Sequence, residues 1–312
     1  MKVCPITYEP LEASAEGPYS PAGLHRLSRS LHQLQNLPLT AEGQRSEAAA
    51  RARKMSIQGV QPKLSARLRV KEGRFEIVDR LGRWILKPQS ATYPHLPENE
   101  DLTQRLAGAA GIEVPTHGLI RSADRTWTYF IRRFDRLARG GKLALEDFAQ
   151  LSGRTRDTKY DSSMEKVAKV IEEYATFPAV EKLELFRRTV FCFLTGNEDM
   201  HLKNFSLLVE PPRVRLAPAY DMVNSTLALP GATEEMALPI RGKKRKLTRR
   251  DLIDYFAKER LGLESRAVQE VLRSIGGTFP GWDRLIGRSF LPEELRIAYR
   301  ELLASRRDRL GM

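Results

Sequence analysis

Apolar positions fall into two rhythms along this chain. Between residues 64 and 132 they gather in short runs suited to strands; from residue 164 onward they recur every three to four positions, as on one face of a helix. The first rhythm predicts strands at 64–70, 74–78 and 83–87, the first two joined by Lys71-Glu72-Gly73, and a hairpin of 114–121 with 126–132 turning at Ser122-Ala123-Asp124. Between them a helix starts at Pro97, carries Glu98, Glu100, Leu102, Leu106 and Ala110, and stops at Gly111. The second rhythm predicts helices from Met164 to Phe177, ended by Pro178, from Val180 to Leu194, from a Thr248 cap, from Ser265, and from Pro292 to Arg309. Ahead of all these, Leu24, Leu27, Leu31, Leu34 and Leu37 predict one amphipathic helix stopping before Pro38, and Thr40 caps a second that runs through Ala48-Ala49-Ala50. The chain shows no internal repeat.

The densest chemistry sits where the long apolar helix 180–194 ends. Thr195-Gly196-Asn197-Glu198-Asp199-Met200-His201-Leu202-Lys203-Asn204 is a polar loop, followed at once by a short strand, 205–209. Asp199 and Asn204 have the Asp-x-x-x-x-Asn spacing of a protein-kinase catalytic loop. Seventeen residues beyond Asn204, past a second strand at 214–216, stands Asp221. Phosphoryl transfer asks a protein to position groups and neutralise charge. Asp199 would take the proton of an attacking hydroxyl; Asn204 and Asp221 would offer the hard oxygens that Mg²⁺ prefers. An ordinary polar loop turning at Gly196-Asn197 is the bland alternative, since such a spacing recurs by chance.

The first half offers matching parts. Trp84-Ile85-Leu86-Lys87 ends an apolar strand in a lysine, as the nucleotide-phosphate lysine of kinases does. The following helix would supply its carboxylate partner, Glu100 first and Glu98 in reserve. Ser56-Ile57-Gln58-Gly59-Val60-Gln61-Pro62-Lys63 is a loop whose backbone could cover phosphates, although it is neither a Walker motif nor a Gly-x-Gly-x-x-Gly. Arg133-Phe134-Asp135-Arg136 closes the sheet before Gly140-Gly141 and would reach the adenine. Together these imply an α+β, two-lobed, protein-kinase-like fold: a helical appendage over 1–50, a mainly β lobe over 51–138 and a helical lobe over 139–312.

Composition narrows the setting. Apolar residues are 41% and charged residues 29%, as in globular domains, and no apolar run approaches a membrane span. Met1-Lys2-Val3-Cys4-Pro5 has no h-region, and Cys4 and Cys192 cannot build a disulfide framework, so a cytoplasmic location is expected. A net charge of +13 suits a polyanionic partner, nucleotide, nucleic acid or acidic protein. Arg241-Gly242-Lys243-Lys244-Arg245-Lys246 is the densest basic run, either a solvated loop or a face lying along nucleic acid.

Taken in order, these pieces resemble the HipA-type serine/threonine kinases, toxins of bacterial toxin–antitoxin pairs, over about residues 51 to 310. The resemblance implies ATP and Mg²⁺ as cofactors, Asp199 as the catalytic residue, Asn204 and Asp221 as metal ligands and Lys87 as the ATP-phosphate lysine. It places Gln58, Gly59 and Val60 over the nucleotide, with Glu100, Phe134 and His201 as further cofactor-binding positions, His201 through an orienting hydrogen bond. Ser56 matches the loop serine that such kinases autophosphorylate to switch themselves off. The implied substrate is an aminoacyl-tRNA synthetase, whose phosphorylation stalls translation and growth.

The chain departs from long members of that family, which carry about a hundred residues of barrel-like subdomain before the loop, an ordinary small-domain size. Only some 50 residues precede Ser56 here, which resembles the short HipT kinases of three-gene systems. The partners implied are a HipS-like small antitoxin and a HipB-like helix-turn-helix antitoxin, with operator DNA reached mainly through the latter and no membrane. Gln58 stands where those kinases have a second serine, and no second Cys or His set near Cys4 implies a metal there. A small-molecule or lipid kinase of the same fold, or a catalytically idle DNA-bound regulator, is the alternative.

Overall fold

The computed structural model describes residues 2–15, 17–52, 61–137, 140–229 and 231–312. It divides into two units: Met1–Leu102, Pro115–Phe134 and Gly287–Pro292 make the first, and Thr103–Val114, Asp135–Ile286 and Glu293–Met312 the second.

In the first unit β1 (Leu64–Arg69), β2 (Arg74–Ile77), β3 (Trp84–Pro88), β4 (His117–Arg121) and β5 (Trp127–Arg132) form one sheet of order β2-β1-β3-β5-β4. Every pairing in it is antiparallel. The central strands are buried at nearly every position, which is why they read as continuous apolar runs rather than a clean alternation. Phe75, Trp84 and Phe130 meet with ring centroids 5.4–5.7 Å apart and anchor one face.

The first fifty residues, expected as a helical appendage, supply much of that core. Cys4, Ile6, Leu24, Leu27, Leu31, Leu34 and Leu37 are all buried in it. Only the first two leucines of the expected helix are helical: α1 is Pro21–Leu27, capped by the Ser20 hydroxyl, and it stops at Ser28. Beyond it the chain runs along the sheet instead. The Gln35 amide donates to the Gly73 carbonyl, that of Leu37 to Arg121, and the Ala123 amide donates back to Leu39. Burial at every third position from 31 to 37 fits an extended chain with three residues per turn as well as a helix, so spacing alone could not separate them. Each buried leucine stabilises by about 1.5–3 kcal/mol, whichever backbone carries it. The second helix, α2 (Ala41–Ala52), forms with the Thr40 hydroxyl accepting from the Gly43 amide. The loop 53–60, with Ser56, Gln58, Gly59 and Val60, lies outside the described residues. α3 (Leu96–Ala109) follows β3 and has its first turns in the first unit.

In the second unit α5 (Met164–Tyr174) lies against α6 (Pro178–Thr195), and α6 packs in turn on α8 (Ser265–Gly276) and α10 (Glu293–Leu310). Pro178 begins α6 at its first turn, where a missing N–H costs nothing, rather than ending α5. A short sheet crosses this helical body. Its middle strand β7 (Ser206–Glu210) pairs on one side with β8 (Arg213–Leu216) and on the other with β6 (Ala144–Asp147), which the pattern did not predict. The helix Arg250–Arg260 starts as expected: the Thr248 hydroxyl accepts from the Asp251 amide and the Asp251 carboxylate accepts from the Thr248 amide. Among the described residues no helix is long and apolar enough to cross a membrane.

Candidate functional site

The loop after α6 is built around a glycine that cannot be replaced cheaply. Gly196 has φ +66°, and a Cβ there would stand 2.6 Å from Leu302, 2.8 Å from Thr226 and 2.9 Å from Asn224. The chain turns sharply because only glycine suits both the dihedral and the space. Asn197, fully buried, then accepts from the Asp199 amide at 3.1 Å. Asn204 sits on a single 3₁₀ turn, Leu202–Asn204, and donates its amide nitrogen to the Asp199 carbonyl at 2.9 Å. Asp199 and Asn204 are thus locked to each other through the main chain, while the Asp199 carboxylate stays 46% exposed and open to a reactant. Asp221 holds a left-handed φ of +54°, a conformation that Asp tolerates better than most residues. The residues on either side tie it to the same loop: Tyr220 donates to the Lys203 carbonyl at 3.0 Å, and Asn197 Nδ2 donates to Met222 Sδ at 3.6 Å.

In the first unit, Lys87 stands one residue before the end of β3, opposite Tyr129 of β5. The Lys87 ammonium meets Glu100 of α3 at 2.5 Å, with both side chains buried. Glu98, the reserve candidate, pairs with His95 at 3.2 Å instead. Phe134 ends the first unit's central segment and is half-buried. A second buried pair, His117 with Asp101 at 2.8 Å, lies on β4 and α3 and carried no signal in the sequence.

Residues 55–282 match the HipA-like C-terminal domain. The chain belongs to that family. A kinase-named protein of Haemophilus influenzae is 33% identical over 240 residues, covering 72% of this chain and 68% of its own length. The serine/threonine-protein kinase toxin HipA of Shewanella oneidensis is 29% identical over 190 residues, covering 55% of this chain and 43% of its own. Among solved structures, the HipA–HipB–operator DNA complex of Shewanella oneidensis holds a chain that matches with a TM-score of 0.68 at 22% identity, over 90% of this chain and 74% of that one. The fold is therefore that of HipA: mixed helix and sheet, kinase-like. The chain spans less than half the length of the curated toxin.

Two site residues of this HipA-like domain had no signal in the pattern, because they lie on the aperiodic stretch 152–163. Tyr160 donates its hydroxyl to the Asp199 carboxylate, and its ring stands edge-on to His201 at 5.0 Å. Lys159 places its ammonium 2.6 Å from His201 Nε2. Burial, followed by the bond to Asp199, pushes the Tyr160 phenol up, so it stays a donor. Burial also lowers the His201 imidazole below its ordinary value; Asp199 opposes this and Lys159 reinforces it. Lys203, inside the motif, is spent elsewhere, 3.0 Å from Asp147 at the cap of α4 (Phe148–Leu151). Tyr220 is tied to Ser206 and donates to the Lys203 carbonyl at 3.0 Å, fixing the residue before Asp221.

The donor set suits magnesium better than a transition metal. Among the described residues no group of three His, Cys, Asp or Glu could cage an ion. Asn204 and Asp221 offer one amide and one carboxylate oxygen, the few hard ligands Mg²⁺ takes when phosphates and water complete its shell. The bond from Asn204 Nδ2 to the Asp199 carbonyl sets the amide's orientation and leaves its oxygen as the end that could ligate a metal.

Proposed function

We propose that the chain is a Mg²⁺- and ATP-dependent serine/threonine protein kinase, the toxin of a toxin–antitoxin pair. The observation that carries this reading is the exposed Asp199 carboxylate, backbone-locked to Asn204 in a kinase-type spacing. In the reaction the acceptor hydroxyl oxygen bonds to the γ-phosphorus, the bridging bond to the β-phosphate breaks, and ADP leaves with its electron pair. Asp199 receives the acceptor's proton. Lys87, held by Glu100, binds nucleotide phosphates as a fixed point charge. Asn204 and Asp221 hold Mg²⁺, which when bound neutralises phosphate charge.

The finer reading rests on the resemblance. The substrate is an aminoacyl-tRNA synthetase, and Ser56 is the autophosphorylated off-switch. By that resemblance the chain is a HipT-like kinase, neutralised by a HipS-like small antitoxin together with a HipB-like DNA-binding one that reaches operator DNA. HipA of Shewanella oneidensis, solved with HipB and its operator, supports the last pairing.

The test is direct. Wild-type protein given Mg²⁺ and labelled ATP should carry phosphate on Ser56, and its expression without antitoxin should arrest growth. Asp199→Asn should do neither. Arrest that survives Asp199→Asn would sink the kinase-toxin reading.

A further inference from the structure

We propose that Lys159 binds and neutralises the phosphoryl group during transfer, and that His201 is the residue that positions it. This rests on the kinase reading above. An ammonium has three donors and no acceptor, so the 2.6 Å approach of Lys159 Nζ to His201 Nε2 requires an unprotonated Nε2. His201 is then a neutral imidazole with its proton on Nδ1, and Nδ1 is buried without a hydrogen bond among the described residues. Its one available lone pair is committed to Lys159. That excludes a role as acid or base toward substrate and leaves it as an anchor.

Among the described residues the Lys159 ammonium makes one hydrogen bond, to His201, and faces the Tyr160 ring at 4.9 Å, while no carboxylate comes within 4.0 Å of its nitrogen. Lys203, by contrast, is already ion-paired with Asp147. The Lys159 ammonium feels both Asp199 and Asp221, the proton acceptor and a metal ligand of the proposed reaction. The main chain is pinned as well: the Leu202 amide donates to the Lys159 carbonyl at 3.3 Å. A half-buried cation with donors to spare among the described residues, anchored on His201 within the field of both acids, is placed to receive an anion. As the new O–P bond forms and the β–γ bridge breaks, negative charge spreads over three phosphoryl oxygens. Lys159 is the side chain placed to meet it, preorganised and needing no rearrangement.

The assay is calorimetry of the full chain with Mg²⁺-ADP, and with Mg²⁺-ADP plus aluminium fluoride, which mimics the phosphoryl group in transfer. Wild type should bind the fluoride complex more tightly than ADP alone. Lys159→Met should keep ADP affinity within about twofold and lose about a hundredfold of the preference, the usual cost of one such donor. Lys159→Arg should recover part of it. His201→Leu should fall with Lys159→Met, the two together should lose no more than either, and His201→Gln, which keeps an acceptor, should restore binding in part. If wild type shows the preference and Lys159→Met retains it, the assignment of Lys159 is overturned alone. If wild type binds neither complex, the kinase reading falls and takes this one with it. Unchanged thermal unfolding of Lys159→Met separates a lost contact from a lost fold.

Discussion

Lys87 and Glu100 lie 2.5 Å apart with their side chains only 6% and 3% exposed. A buried ion pair repays its desolvation only while both partners remain, and removing one strands a charge at a cost of about 3–5 kcal/mol. Glu100→Leu should therefore destabilise the first unit by about that much, and Lys87→Met with Glu100→Leu should recover most of it. Urea unfolding followed by tryptophan fluorescence reads this, since Trp84 shares β3 with Lys87. Both variants should lose ATP binding. A double variant as unstable as the single would show that the pair is needed for the fold itself.

Gly196→Ala tests the turn that aims Asp199. The left-handed dihedral disfavours any side chain, and the added methyl meets Leu302, Thr226 and Asn224 inside contact distance. Strain and overpacking together should cost about 2–4 kcal/mol. Phosphoryl transfer should fall further than the unfolded fraction explains, because Asp199 is three residues away on the same loop. Activity per folded molecule equal to wild type would separate the turn from the chemistry.

How much of this could be read from residues alone varied with the range of the interaction that decides each element. The strands around Lys87, the α6 helix and the Asp199–Asn204 loop were legible, because local apolar rhythm and short spacing specify them. The stretch 31–37 was misread: a three-residue burial period belongs to an extended chain as much as to a helix, and bonds to Gly73 and Arg121, remote in sequence, decided it. β6 was missed because its four residues are half exposed and gain strand identity only from pairing with β7. Helix α9 (Phe279–Arg288) was hidden by Gly277, Pro280 and Gly281 at its start. Lys159 and Tyr160 reach the site from a loop some forty residues upstream, with no periodicity to flag them. The preference for Glu100 over Glu98 agrees with the structure: two positions apart on α3, about 200° of helical turn sends them to different faces, Glu100 to Lys87 and Glu98 to His95.

Acid should unfold the second unit partly through Glu235. Burial works to raise its carboxyl, but bonds from Arg309 at 2.6 and 3.0 Å and from the Leu247 amide at 2.8 Å outweigh it and hold it below the ordinary 4.5. A carboxyl depressed in the folded state stabilises fully above its unfolded value and loses that contribution as pH falls through its folded one. Glu235→Gln should therefore melt lower than wild type at neutral pH, and the gap should close as pH drops below 4.5. Thermal melts across that range check it; a gap constant with pH would assign the loss to packing.

Asp221 joins a charge to a backbone strain, and two substitutions separate them. Its φ of +54° costs most residues about 1–2 kcal/mol, whereas Asn visits that region routinely. Asp221→Asn should keep the fold and remove the anionic ligand; Asp221→Ala should remove the ligand and melt lower as well. Both should raise the Mg²⁺ concentration needed for half-maximal ATP binding by about tenfold or more, the scale seen when a metal site loses even a supporting group. Removing Mg²⁺ with a chelator should bring wild type down to the level of both variants. Magnesium titrations of nucleotide binding, run beside thermal melts, give the two readings independently. If Asp221→Asn keeps wild-type magnesium dependence, the metal is held elsewhere, and the left-handed turn at 221 serves the fold alone.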